Sequence, residues 1–491
     1  MGSNTFRLVV FRYRPGGAFR LVDEIRDAVR LSRGAGPEGI RPEAVERAAH
    51  TARLYAAFCA AEHIDEVDAV STSAARDAAN RDAVLRALTA GGQLPVRVLS
   101  AVDEARYGYL GAVNSTTLGD GWVLDLGGGS LQATEVHGRR MGRTASRPLG
   151  AVRMTERFLG DGPASRGELK ALRRHAERAL REEPWMAGLG PRVVGIGGTV
   201  RTLARMAQKE ERYPLDELHG YRLGRDALDD LVARMAERPA AERSSIPGLK
   251  ADRADITLAG AVVIGVAMDL AGAGEVEICA QGLREGVFYE RLLGDDPHHL
   301  IPDVRRHSVL NLMDAYRCDA HHCAQVGDLA LSIHDQLAAM RLMESSPRDR
   351  EVLWAAAMLH DAGVAIDYND HHRHGYYLVL NSGLPGYAHE EIAMVALLVR
   401  GHRKAPPAPG PLEPVLGAGG EARLARLAAC LRVAEQLAQS RSVRGVRLAA
   451  GDGVLRARVE DAGDPTVAVW SAGHESPAME RAVGLRLEVA A

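Results

Sequence analysis

Aromatic residues are scarce in this chain: Phe, Trp and Tyr together make up 4% of 491 residues, so cores have to be built from Leu, Val and Ala. Cysteines number 5 (Cys59, Cys279, Cys318, Cys323 and Cys430), scattered and odd in count, which argues against a disulfide framework and for reduced thiols. Cys318 and Cys323 flank His321 and His322, yet a zinc site needs more ligands at tighter spacing and is not expected there. No uninterrupted apolar run approaches a membrane span, and the N-terminus lacks the basic-then-apolar layout of a secretory signal. A cytoplasmic protein without a membrane partner is therefore expected. Net charge is only −3, so bulk electrostatics would gather neither nucleic acid nor any other polyanion; an anionic ligand has to be held by local arginine clusters.

What the chain does have is length for roughly three domains, with 46% hydrophobic and 25% charged residues, as in soluble globular proteins. The stretch Val123 to Ser130 organises the rest. Val123, Leu124 and Leu126 read as the end of a buried strand, and Gly127-Gly128-Gly129 permits a turn whose backbone N–H groups approach a phosphate closely. Asp125, at the strand end, stands where a hard divalent cation would bridge carboxylate and phosphate oxygens. Strands also precede the turns at Ser71-Thr72-Ser73 and Gly197-Gly198-Thr199, and a small polar turn, Gly2 to Thr5, runs into the first strand. Helical spacing marks Pro42 to Glu62, a helix capped by Ser100, and Arg166 to Glu182. Strands and helices in alternation predict an α/β architecture of two halves presenting glycine loops to one cleft.

From His298 to about Gln439 the pattern changes to long Ala/Leu-rich helices, and 12 of the 18 histidines lie between His298 and His402. Lys404 to Gly420 reads as an exposed Pro/Gly-rich connection. Val443 to Val489 alternates apolar and polar positions and predicts a few short strands.

Six segments, in order, resemble the exopolyphosphatase/guanosine pentaphosphatase (Ppx/GppA) family: Gly2 to Arg7, Thr72 to Ala78, Asp103 to Arg106, Asp125 to Ser130, Gly195 to Thr199 and Gly282 to Gly286. The resemblance runs from the first residue to about Leu293. It implies two actin-like ATPase (ribonuclease H-like) domains, 1–117 and 118–297, forming a phosphate cleft. An all-α HD-type domain, 298–441, and a small β-rich tail, 442–491, follow. The implied activity is a Mg²⁺-dependent exopolyphosphatase, with Mn²⁺ as the alternative ion, removing terminal phosphate processively from inorganic polyphosphate as a homodimer. The alternatives are guanosine pentaphosphate hydrolysis, or a sensor that binds polyphosphate or the alarmone without turnover.

Carried onto this chain, the resemblance makes Glu104 the general base that deprotonates water and Asp125 the Mg²⁺ ligand. It makes the amides of Gly127, Gly128, Gly129, Ser130, Gly197, Gly198 and Thr199 a phosphate cradle, closed by Ser3, Asn4 and Thr5, with Arg76, Arg253 and Arg284 as further phosphate ligands. The family pattern also has a strand and an acidic residue before the Gly-Ser-Asn turn, whereas Met1 directly precedes Gly2. A misassigned start codon is expected, and an intact mass beginning at Met1 would contradict it. In the helical region His322, His360, Asp361, His374 and His402 match an HD-type metal set. Glu435 stands where a late Asp is usual. Two readings stand side by side there: a second divalent metal site, or a vestigial fold that extends a polyphosphate channel or dimer interface.

Overall fold

Phe6–Tyr13 (β1) and Phe19–Asp27 (β2) pair antiparallel across a Pro-Gly-Gly turn, in which Gly16 takes a positive φ of 63°. Pro42–Ala61 (α1) starts with proline in its first turn, where the missing N–H costs nothing. There follow Val70–Ser71 (β3), Ser73–Arg76 (α2), Arg81–Gly92 (α3), Arg97–Val98 (β4), parallel to β3, and Ala101–Val113 (α4). Ser100 and Asp103 close a capping box at the start of α4: the Ser100 hydroxyl accepts from the Asp103 N–H at 3.0 Å, and the Asp103 carboxylate accepts from the Ser100 N–H at 3.3 Å.

The strands Gly121–Leu126 (β5), Leu131–His137 (β6) and Arg140–Arg147 (β7) form an antiparallel meander. Ala151–Phe158 (α5) and Arg166–Arg181 (α6) lead to Val193–Ile196 (β8) and Gly198–Glu211 (α7). Arg222–Gly224 (β9), Arg225–Ala236 (α8), Thr257–Ala271 (α9), Glu275–Ile278 (β10) and Leu283–Leu292 (α10) complete this part. The six-stranded sheet has the order β7-β6-β5-β8-β10-β9, with β8 parallel to β5 and β10. Successive β5 side chains point to opposite faces. Trp122, Leu124 and Leu126 pack into the core shared with α9, an almost entirely apolar helix, while Val123 joins the opposite core with Tyr107 and Leu110 of α4. By the same alternation Asp125 faces α4.

In this computed structural model the chain divides into two compact units, Met1–Tyr213 with Leu218–Pro302, and Pro214–Glu217 with Asp303–Ala491. All residues are described except Leu189, Pro191, Ala405, Pro406 and Ala462, with backbone only for Ala187 and Gly188. The second unit contains the helices Val304–Ala315 (α11), Ala320–Ala339 (α12), Pro347–Leu359 (α13), His371–Ser382 (α14), His389–Gly401 (α15), Glu413–Leu416 (α16) and Gly420–Ala438 (α17). Val443–Gly451 (β11), Val454–Asp461 (β12), Thr466–Gly473 (α18), Ser476–Val483 (α19) and Arg486–Ala490 (β13) end the chain.

Two expectations need correction here. The tail is not simply strands: β13 runs parallel to β12, a pairing that a hairpin cannot make, and α18 and α19 form the crossover. Nor is the segment after Lys404 merely an exposed connection, because Leu412 and Leu416 of its short helical turns are buried; Ala405 and Pro406 lie outside the described residues. Among the described residues no helix is long and apolar enough to cross a membrane.

Candidate functional site

The turn after β5 closes with the Gly127 N–H donating to the Ser130 carbonyl at 3.0 Å, and the N–H groups of Ala151 and Val152 at the start of α5 hold the carbonyls of Gly127 and Gly128, each at 3.0 Å. Ser3 and Ser73 stand against this loop. Their hydroxyls are 3.1 Å apart, and a Cβ added at Gly129 would meet the Ser73 Oγ at 3.0 Å and the Ser3 Oγ at 3.5 Å. Three separate turns therefore meet at one point. Asn4 Nδ2 and Thr5 Oγ1 are buried beside it without a hydrogen-bond partner, an expense that a bound acceptor would remove.

Glu104, in the first turn of α4, is only 7% exposed and accepts from Arg76 Nη1 at 2.7 Å. Burial raises its pKa above the usual carboxylate value, and the Arg76 guanidinium opposes that rise. Arg76 also bonds the Leu99 carbonyl at 3.3 Å and Asp77 at 3.1 Å, so it arrives already oriented. Asp125 is pushed up to about 7, chiefly by burial and then by the charge of Glu104. A carboxyl strained toward neutrality by burial and a second carboxylate is a group that a cation would restore to its ionised form, so the residues present fit a Mg²⁺ ligand.

Gly197 caps α7 with φ at 97°, a conformation that disfavours other residues, and the guanidinium of Arg253 lies over Gly198, where a Cβ would have to displace it. Arg201, one turn into α7, donates to the Gly197 carbonyl at 3.1 Å and the Ala280 carbonyl at 3.0 Å. Arg7 and Arg284 share the Glu24 carboxylate at 2.5 Å and 3.1 Å, and Arg26 pairs with Asp252. These cations oppose one another. Burial, then Arg284 and Arg201, brings Arg7 down to about 10, while burial, then Arg26, does the same for Arg253. Burial and Arg284 also lower Arg201. Five guanidiniums thus crowd together, with Glu24, Asp252 and Glu285 paired among them.

A cavity of about 760 Å³ is lined by Ser3, Asn4, Thr5, Glu104, Gly127, Gly128, Gly198, Thr199, Arg253 and Arg284. Gly129 and Arg76 stand directly behind its wall, through Ser3 and Glu104. Ser130 has its side chain turned into the sheet, accepting from Gln132 Nε2 at 2.8 Å, so only its backbone is available to the loop. Arg7, Arg26 and Arg201 were not singled out from sequence. Arg7 ends the first motif and Arg201 lies at i+4 from Gly197, a helical spacing that would have found it.

The second unit brings His322, His360, Asp361, His371 and His402 within reach of common points, as two ligand groups that share Asp361. His374 is not among them. The first residue of α14, His371, takes that place, because its Nε2 lies 3.3 Å from Asp361 and 3.0 Å from His402 Nε2, and His374 sits almost a full turn further round the helix.

A family model described as the Ppx/GppA phosphatase family matches residues 9–294, more than half of the chain. This chain belongs to the Ppx/GppA phosphatase family. A second model, described as Ppx/GppA phosphatase domain III, matches residues 304–450, so the helical unit carries the family's third domain. The solved structure of the Aquifex aeolicus Ppx/GppA family member is 26% identical, with a TM-score of 0.52, over 60% of this chain and 96% of that one. An exopolyphosphatase-like protein is 25% identical at a TM-score of 0.53, covering 58% of this chain and 95% of its own. An exopolyphosphatase from Cytophaga hutchinsonii, 23% identical at a TM-score of 0.55 over 60% of this chain and 96% of that one, shares the fold. The α/β unit is accordingly the actin-like fold of Ppx/GppA phosphatases.

Proposed function

We propose that the α/β unit is an exopolyphosphatase that hydrolyses the terminal phosphoanhydride of inorganic polyphosphate, with Glu104 as general base. The observation that carries this reading is the crowd of Arg7, Arg26, Arg201, Arg253 and Arg284 around a cavity that also holds Glu104 and two glycine turns. Guanidiniums crowded in a partly buried site are stabilised by a polyanion, and a repeating phosphate chain supplies charge at every unit. Phosphoryl transfer asks the protein mainly for charge neutralisation and a positioned water. The glycine turns and arginines supply the first, and the buried carboxylate of Glu104, with its raised affinity for a proton, supplies a base to orient and deprotonate the second. Asp125 would hold Mg²⁺, which when bound neutralises charge on the transferred group.

The test is phosphate release from long-chain polyphosphate and from guanosine pentaphosphate by the wild-type chain and by Glu104→Gln. Release from polyphosphate that falls by about 10²–10⁴-fold in the variant is expected. Unchanged release would remove Glu104 as the base. Faster turnover of guanosine pentaphosphate would reassign the substrate, and tight polyphosphate binding without release would make the chain a sensor.

A further inference from the structure

Ala151, the first residue of α5, lines the cavity, and the Arg153 N–H donates to the Gly128 carbonyl at 3.2 Å, so α5 begins at the anion loop itself. The Arg153 side chain is exposed and reaches toward Asp77, with 3.9 Å between Nη2 and Oδ2. Arg157 follows one turn later on the same face, about 6 Å further along the axis. Its Nη1 lies 3.4 Å from His175 Nε2 on α6. A guanidinium only donates, so Nε2 accepts.

On α6, Leu172, Ala176 and Leu180 are buried at a spacing of four, which turns Lys170, Arg174 and Arg178 outward on the far side of the helix. All three are exposed, in a row about 12 Å long. The carboxylates nearby serve other groups: Glu177 accepts from Arg181 at 2.8 Å, Asp269 pairs with Arg173 at 3.1 Å, and Glu168 closes a capping box with Ser165. Among the described residues Arg157, Lys170, Arg174 and Arg178 have no carboxylate partner. Burial, then Arg157 and Arg178, holds the His175 pKa below its ordinary value, with Glu182 opposing them. The cations of the two helices therefore meet at His175.

We propose, resting on polyphosphate as the substrate of the cavity, that the exposed face of α5 and α6 is a second anion site, along which distal units of a long chain lie while its end is in the cavity. The occupant follows from charge complementarity and from continuity with the anion loop. Polyphosphate carries charge at every unit, as a row of point charges requires. A single-stranded nucleic acid also needs aromatic platforms for its bases. Phe158, the one benzene ring on these two helices, is half-buried, with the Arg157 guanidinium 5.3 Å from its centroid. A chain held at two places stays bound after each cleavage, because the outer site keeps the shortened end at high effective concentration beside the cavity.

The test is the affinity of Glu104→Gln for long-chain polyphosphate and for tripolyphosphate, which is short enough to lie within the cavity, by titration calorimetry over a range of salt. Adding Lys170→Gln, Arg174→Gln and Arg178→Gln together is expected to weaken long-chain binding roughly tenfold, as three exposed ion pairs supply, and to flatten the log–log salt slope by about two. Tripolyphosphate affinity stays as it was. Arg174→Lys with Arg178→Lys keeps both charges and keeps the long-chain affinity. Unchanged long-chain affinity in the triple variant overturns the proposal, as does an equal loss for both lengths, which would mean that these cations act through the cavity. Loss of affinity for single-stranded RNA with polyphosphate binding intact overturns it in favour of a nucleic acid. Should Glu104→Gln still turn polyphosphate over, the same comparison is read as KM. A wild type that binds both lengths and releases no phosphate refutes the catalytic reading alone, because the comparison of affinities needs no turnover.

Discussion

The two polar sites of this chain are built on opposite electrostatic plans. The cavity of the α/β unit gathers donors and positive charge: glycine turns, the buried amide of Asn4, and five arginines with Glu24, Asp252 and Glu285 paired among them. The cluster of the helical unit gathers imidazoles and carboxylates, with Nε2 atoms and carboxylate oxygens turned toward one another. The first plan suits an anion and the second a cation. Glu104→Gln tests whether the two are independent, and it carries the largest expected effect: phosphate release falls by about 10²–10⁴-fold while the metal content of the helical unit, where the family resemblance implies a second divalent ion, is unchanged. If metal content fell as well, the separation into two plans would be wrong.

The next largest effect concerns the packing of the cation site. Arg432 is buried, donates to Glu475 at 2.6 Å and 3.0 Å, and donates to the Gly401 carbonyl at 2.9 Å, next to His402. Arg432→Ala leaves Glu475 buried and unpaired, a loss of about 3–5 kcal/mol that urea unfolding followed by circular dichroism would register. Polyphosphate turnover by the α/β unit at low temperature should survive it. On the anion side, Arg7→Ala removes one charge-assisted contact, worth about 1.5–3 kcal/mol, and should raise KM for polyphosphate by roughly tenfold or more with little change in kcat. A fall in kcat alone would place Arg7 at the reacting phosphoryl group instead.

The contrast also explains what could be read in the chain beforehand. The anion site is assembled from contiguous motifs at strand ends, such as Asp125 to Ser130 and Gly195 to Thr199, where conformation and chemistry are written in the same few residues. The fold around it was legible for the same reason, since hydrophobic alternation along β5 and the cap at Ser100 are local signals. Arg26 was missed because an arginine on an ordinary strand shows no sign of its neighbours, whereas Arg201 could have been found from its i+4 spacing to Gly197. The cation site depends on helices α12, α13, α14, α15 and α17 meeting, and sequence spacing alone did not distinguish His371 from His374, two residues on one helix with only one facing Asp361. Glu435 was readable as a ligand only because its position was known, and the crossover helices α18 and α19 were masked by the strand-like alternation on either side of them.

The subtlest expected effect separates the two roles that Arg76 has at the anion site. Glu104 accepts a proton only when ionised, so the rate of phosphate release should climb as pH rises through its pKa, which burial holds above the ordinary carboxylate value. Arg76, 2.7 Å away, pulls that pKa down. Arg76→Ala removes the opposing charge, and the acid limb of the kcat profile should move to higher pH, whereas Arg76→Lys should move it less, because a point charge is kept and the oriented fork is lost. An acid limb that stays in place in Arg76→Ala, with only KM raised, would mean that the guanidinium serves the substrate alone and that burial by itself sets the proton affinity of Glu104.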